Sequence, residues 1–128
     1  RGHPVLYIEA SNMKRIWTSK DMFDEDETWI DRVLGVDLLV LDDFGKGVMD
    51  STGFGATIFD EMVRKRNANK LVTMITTNRS PRDGAWVKEL GIKESTQQTL
   101  MECFMPLYVD GENRRNKNHS ALYDALNA

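Results

Sequence analysis

The chain has 128 residues, with 17 Lys and Arg against 20 Asp and Glu and a net charge of −3. That length fits one domain large enough for a hydrophobic core, and the charge balance excludes a global basic field for holding nucleic acid. The single cysteine, Cys103, excludes an internal disulfide, and no apolar run reaches the ~20 residues of a membrane span, so a cytoplasmic protein without a membrane partner is expected.

Val5 to Ala10 reads as a short buried strand, entered so soon after Arg1 that the chain is expected to start inside a domain. Ser11 or Asn12 can cap a helix in which Met13, Ile16 and Trp17 share one face. The acidic stretch Asp21, Asp24, Glu25, Asp26 and Glu27 suits a solvated loop. Trp29, Ile30, Val33 and Leu34 recur at helical spacing, and Gly35 closes that helix. Val36 to Leu41 then forms a run with almost no polar alternation, as in a parallel strand buried on both faces. Phe44 to Gly55 is glycine-rich and reads as a loop, with Ser51 or Thr52 as the next helix cap. Phe54, Ile58, Phe59, Met62 and Val63 mark the buried face of that helix. Arg64, Lys65 and Arg66 suit its solvated last turn, where cations complement the dipole.

Leu71 to Thr76 is a further β-rich run, followed by Thr77-Asn78-Arg79-Ser80-Pro81, and Pro81 can open a helix carrying Trp86 and Leu90. Thr99 to Phe104 reads as helix, with Cys103 as a small residue packing inward. Pro106 to Val109 reads as extended, Gly111 to Arg115 as a turn, and Leu122, Ala125 and Leu126 as a terminal helix. Strands alternating with helices predict an α/β domain with a largely parallel sheet.

The most informative stretch is Leu38-Leu39-Val40-Leu41-Asp42-Asp43-Phe44-Gly45. Two carboxylates at the end of an apolar strand stand where α/β folds bind ligands, and a hard cation such as Mg²⁺ takes one or two carboxylate oxygens together with water and phosphate. The plainer alternatives are a helix cap or turn for the acid pair, a turn residue for Asn78 and a surface pair for Arg114-Arg115.

Taken in order, the strand ending in Asp42-Asp43-Phe44-Gly45, the helix, the strand ending in Thr76-Thr77-Asn78 and the Gly111-Glu112-Asn113-Arg114-Arg115 turn resemble the AAA+ ATPase core. More narrowly they resemble the DnaC-type helicase loaders and the related IstB-type transposition ATPases, over roughly Val5 to Arg115. The resemblance implies a P-loop NTPase-type parallel sheet flanked by helices, with ATP and Mg²⁺ as cofactors. Asp42 would hold the metal and Asp43 would orient the attacking water. Asn78 would contact the γ-phosphate, and Arg114 or Arg115 would approach the nucleotide or a neighbouring subunit. It further implies a DNA replication role: self-association through the ATPase domain, and action on a replicative DNA helicase and single-stranded DNA. A transposition helper and a non-catalytic adaptor are the other readings.

The chain departs from that pattern twice. No G-x-x-x-x-G-K-[ST] occurs, and Gly45-Lys46-Gly47 lacks the spacing. In the family the phosphate loop precedes the strand that Val5 to Ala10 resembles, and its own strand lies between the Thr-Thr-Asn strand and the last one. Residues 1–128 are thus expected to be a partial, N-terminally truncated AAA+ domain that binds nucleotide weakly or not at all by itself. The second departure is Cys103, which stands where loaders carry an arginine finger; Arg79 and Arg82 are the nearby substitutes. The segment from Trp17 to Trp29 takes the place of a helical insertion proposed in loaders to touch single-stranded DNA, but its acidity argues against a phosphate contact.

Overall fold

Leu38 to Leu41 form the middle of a three-stranded parallel sheet in this computed structural model, which describes residues 2–19, 21–45, 53–79, 85–88 and 90–109. The strands are β1 (Val5–Glu9), β2 (Leu38–Phe44) and β3 (Val72–Thr77), in the order β1-β2-β3. Leu38 pairs with Val5 on one side and Val72 on the other; Val40 pairs with Tyr7 and Met74. The helices are α1 (Met13–Thr18), α2 (Trp29–Gly35), α3 (Phe54–Ala68), the single turn α4 (Ala85–Lys88) and α5 (Glu94–Cys103).

The two faces of the sheet differ. Ile8, Leu39 and Leu41 point into a core shared with Val33, Ile58 and Met62. The opposite face carries Val5, Tyr7, Val72 and Met74, which are 55%, 58%, 62% and 53% exposed. Apolar side chains on both faces are the pattern of a sheet meant for two covering layers, and the described helices cover one.

Local chemistry explains the helices. In α3 the apolar residues at helical spacing, Ile58, Phe59, Met62 and Val63, are buried as a stripe, each contributing roughly 1.5–3 kcal/mol. Gly53 caps this helix in the left-handed conformation, at φ 75°, a backbone state that glycine adopts without steric cost. The expected caps Ser51 and Thr52 lie outside the described residues. Thr28 opens α2 through a reciprocal box: its hydroxyl accepts from Asp31 N at 3.1 Å, and Asp31 Oδ2 accepts from Thr28 N at 3.3 Å. Residues 21–27 form no helix, and Met22 bridges to Thr28.

Arg66 corrects the sequence reading. Rather than joining a solvated basic turn, its side chain is fully buried. Its guanidinium donates to Val33 O at 2.9 Å, Val36 O at 2.8 Å, Val72 O at 2.8 Å and Thr73 Oγ1 at 2.9 Å. It therefore satisfies carbonyls at the end of α2 and at the entry to β3 from one point on α3. Burial pushes its pKa down, and the negative charge of Asp37 opposes that shift. Val36 is drawn into this junction as the residue after α2, so β2 begins at Leu38 and not at Val36. Its neighbours behave as the sequence predicts, with Arg64 paired to Asp60 at 2.9 Å and Lys65 to Glu61 at 2.6 Å. Arg66→Met strands two buried carbonyls and a partly buried one, and a loss of about 3 kcal/mol is expected, read as a lower urea midpoint at unchanged slope.

Asp60 also joins α3 to α5, accepting from the Thr96 hydroxyl and from Arg64. Burial pushes its carboxyl up, but the bonds from Thr96 and Arg64 and the charges of Arg64 and Lys93 outweigh it, and the net shift is downward. Its stabilising contribution is complete above the ordinary value of 3.8 and drains as pH falls below that toward the folded-state value. Thr96→Val is expected to make the acid side of a Tm-against-pH curve shallower while lowering Tm at neutral pH.

Candidate functional site

The acid pair sits on a β-bulge. Leu41 pairs with Ile75 and Phe44 with Thr77, so Asp42 and Asp43 together stand against the single residue Thr76. Asp43 takes up the extra length in the left-handed region, at φ 57°. The reason lies in the core. With strict alternation Asp43 would follow Leu39 and Leu41 inward and Phe44 would point to the open face. One inserted residue reverses that: Asp43 is exposed, and Phe44 is buried, its ring stacked on Phe59 with centroids 4.5 Å apart and 4.8 Å from that of Trp86. The left-handed backbone costs roughly 1–2 kcal/mol at a non-glycine residue, which the roughly 1.5–3 kcal/mol from burying a Phe side chain offsets.

Two threonines of β3 fasten the bulge. Thr76 Oγ1 accepts from Asp43 N at 2.9 Å and donates to Asp42 Oδ1 at 2.5 Å. Thr77 Oγ1 donates to Phe44 O at 2.7 Å. From β1, Tyr7 Oη reaches Asp42 Oδ2 at 2.5 Å. Both Asp42 oxygens thus accept a neutral hydroxyl. These bonds, the one from Thr76 first and then Tyr7, hold the Asp42 carboxyl below its ordinary value, assisted by the Asp43 N–H and opposed by desolvation. The Tyr7 phenol is raised, chiefly by its bond to Asp42.

The structure brings Asp42, Asp43 and Asn78 to the same end of the sheet, at the carboxyl ends of β2 and β3. Asp42 is within β2 rather than beyond it. Asn78 lies in an exposed bend one residue past β3, and no described hydrogen bond joins its amide to the acids. Arg79 follows; its N donates to Thr77 Oγ1 at 3.1 Å and its carbonyl accepts from Trp86 Nε1 at 2.9 Å. Arg82, Arg114 and Arg115 lie outside the described residues. Cys103 is exposed, not packed inward as expected, because α5 turns Thr96 and Leu100 to the core and Phe104, the next residue, folds back against it.

The donor atoms gathered here are of the kind a hard cation takes. They are all oxygen, and Asp42 is held ionised, as a ligand must be. Among the described residues no group of three or more His, Cys, Asp or Glu side chains is arranged to hold a metal alone, so any such ion would draw its remaining ligands from water and substrate. Tyr7 and Thr76 are the site residues that sequence reasoning missed. The signal was the i, i+2 position of a tyrosine on a strand beside the acid-bearing one, and it becomes visible only once the register is known. No described helix is long and apolar enough to cross a membrane.

Compared with protein-family models and with curated proteins, the chain matches none. The fold and site define it as an α/β domain whose described residues form a three-stranded parallel sheet, with an acid pair at the carboxyl end of the middle strand. Thr76→Val and Tyr7→Phe are each expected to raise the Asp42 carboxyl toward its ordinary value, Thr76→Val the more, in a pH titration of the carboxyl carbon by NMR. An unchanged titration would show that the hydroxyls do not hold it.

Proposed function

We propose that this chain is the acid-bearing part of an AAA+ ATPase of the helicase-loader kind, acting on a replicative DNA helicase and single-stranded DNA. The observation that carries the reading is the fastened acid pair at the carboxyl end of the middle parallel strand, with Thr76-Thr77-Asn78 at the end of the next. When bound, Mg²⁺ would neutralise charge developing between the β- and γ-phosphates. Asp42 offers it an ionised oxygen ligand. Asp43, exposed beside Asp42, is free to accept a hydrogen bond from an attacking water and orient it. Asn78, at the tip of β3, carries an amide suited to a phosphate oxygen, and Arg114 or Arg115 would add a cation.

Among the described residues the sheet is open beside β3, which leaves room for the further strand that this reading needs. Among the described residues β3 is an edge strand, with Val72 and Met74 exposed beside it. An unpaired apolar edge is a liability in a lone domain, and a further strand and helix laid against it would remove it. Met105, Leu107 and Val109 extend from α5 at 83%, 81% and 99% exposure, an apolar segment with the composition of another buried strand.

In the protein that carries such a loop, Asp43→Asn is expected to abolish nearly all Mg²⁺-dependent ATP turnover while nucleotide binding is retained. Unchanged turnover in that variant, or a natural protein with no G-x-x-x-x-G-K-[ST] segment, overturns the reading. Co-precipitation with a replicative helicase rather than a transposase separates a loader from a transposition helper.

A further inference from the structure

We infer that Tyr7 and Thr76 are positioning residues that fix the Asp42 carboxylate for a divalent cation, an inference that rests on the reading of Asp42 as a metal ligand. Tyr7 stands on the open face of the sheet and is 58% exposed, so its aromatic ring adds little to the described core. Its hydroxyl nevertheless bonds Asp42 Oδ2, while Thr76 from the opposite neighbouring strand bonds Oδ1. One donor on each oxygen fixes both the direction and the plane of the carboxylate. A carboxylate oxygen has two acceptor directions, so each still has one for a cation. Thr76 does more, because the same oxygen accepts from Asp43 N and so ties the left-handed residue to the neighbouring acid. Water can also solvate an exposed carboxylate, but it does not fix its plane. The effect of the two bonds is therefore geometric, the part that outer partners of metal ligands play.

The test uses the 128-residue chain and Mn²⁺ alone, read as paramagnetic broadening of backbone amide signals. Broadening centred on residues 42, 43 and 76 is expected, and it should vanish in Asp42→Asn. Tyr7→Phe and Thr76→Val should each need about tenfold more Mn²⁺ for equal broadening, and Thr76→Ser, which keeps the hydroxyl, should behave as the parent. Retained dispersion of the remaining signals reports that each variant is folded. Broadening in the parent with unchanged or tighter binding in Tyr7→Phe and Thr76→Val overturns the positioning role and leaves the cation reading standing. No broadening at residues 42 and 43 in the parent overturns both.

Discussion

The buried guanidinium of Arg66 is the constraint on which the rest of the sheet depends. It reaches two carbonyls at the end of α2, some thirty residues away, and the first residues of β3, so α2, α3 and β3 meet at one planar donor. A guanidinium suits this task where an ammonium does not, because its donors diverge in a fixed plane toward several acceptors. Without a carboxylate among its partners, the charge is stabilised by carbonyl dipoles, with Asp37 contributing from further away. Both β2 and β3 start from this junction, and the register that carries Leu38 opposite Val72 is set there.

With the amino end of the sheet pinned, the carboxyl end must absorb any mismatch between β2 and β3. That mismatch is Asp43. The core needs Phe44 against Phe59 and Trp86, and alternation from Leu39 and Leu41 would put it on the wrong face. The bulge resolves the conflict at the position where two acids occur. Thus the packing demand of an aromatic side chain also turns Asp43 outward beside Asp42, and Thr76 and Thr77 close the backbone groups that the irregular ladder leaves open. Strain, fastening and charge are concentrated in Asp42, Asp43 and Phe44 with Thr76 and Thr77 beside them, at the end of the sheet away from Arg66.

Much of this was legible in the sequence because it rests on local chemistry. The spacing of Ile58, Phe59, Met62 and Val63 reports burial directly and the alternation of strand and helix the parallel sheet, whereas the run before Asp42, expected to be buried on both faces, is fully buried only at Leu39 and Leu41. What was not legible depends on partners remote in the chain. Arg66 looks like its neighbours Arg64 and Lys65, and only the packing of α2 and β3 around it decides that it is buried. Cys103 misled for the opposite reason: its face of α5 is decided by Leu100 and Phe104, and nothing local marks which of Cys103 and Phe104 turns inward. Tyr7 reads as an ordinary strand former and Thr76 enters only as part of the Thr76-Thr77-Asn78 strand end, and only the parallel register brings them to either side of Asp42.

The chemical nature of those two neighbours matters as much as their position. A cation beside Asp42 would also keep it ionised, but it would cancel the charge in doing so. Hydroxyls stabilise the ionised form by hydrogen bonding and leave its full negative charge in place. No described ion pair involves Asp42 or Asp43, and Glu9 stands opposite Asp42 across β1. Among the described residues, Asp42, Asp43 and Glu9 thus gather negative charge at the carboxyl end of the sheet. Like charges gathered in this way weaken a fold slightly and repel a bare triphosphate. A counter-cation arriving there would relieve that repulsion, and the two hydroxyls would hold the Asp42 oxygens in place without competing for its charge.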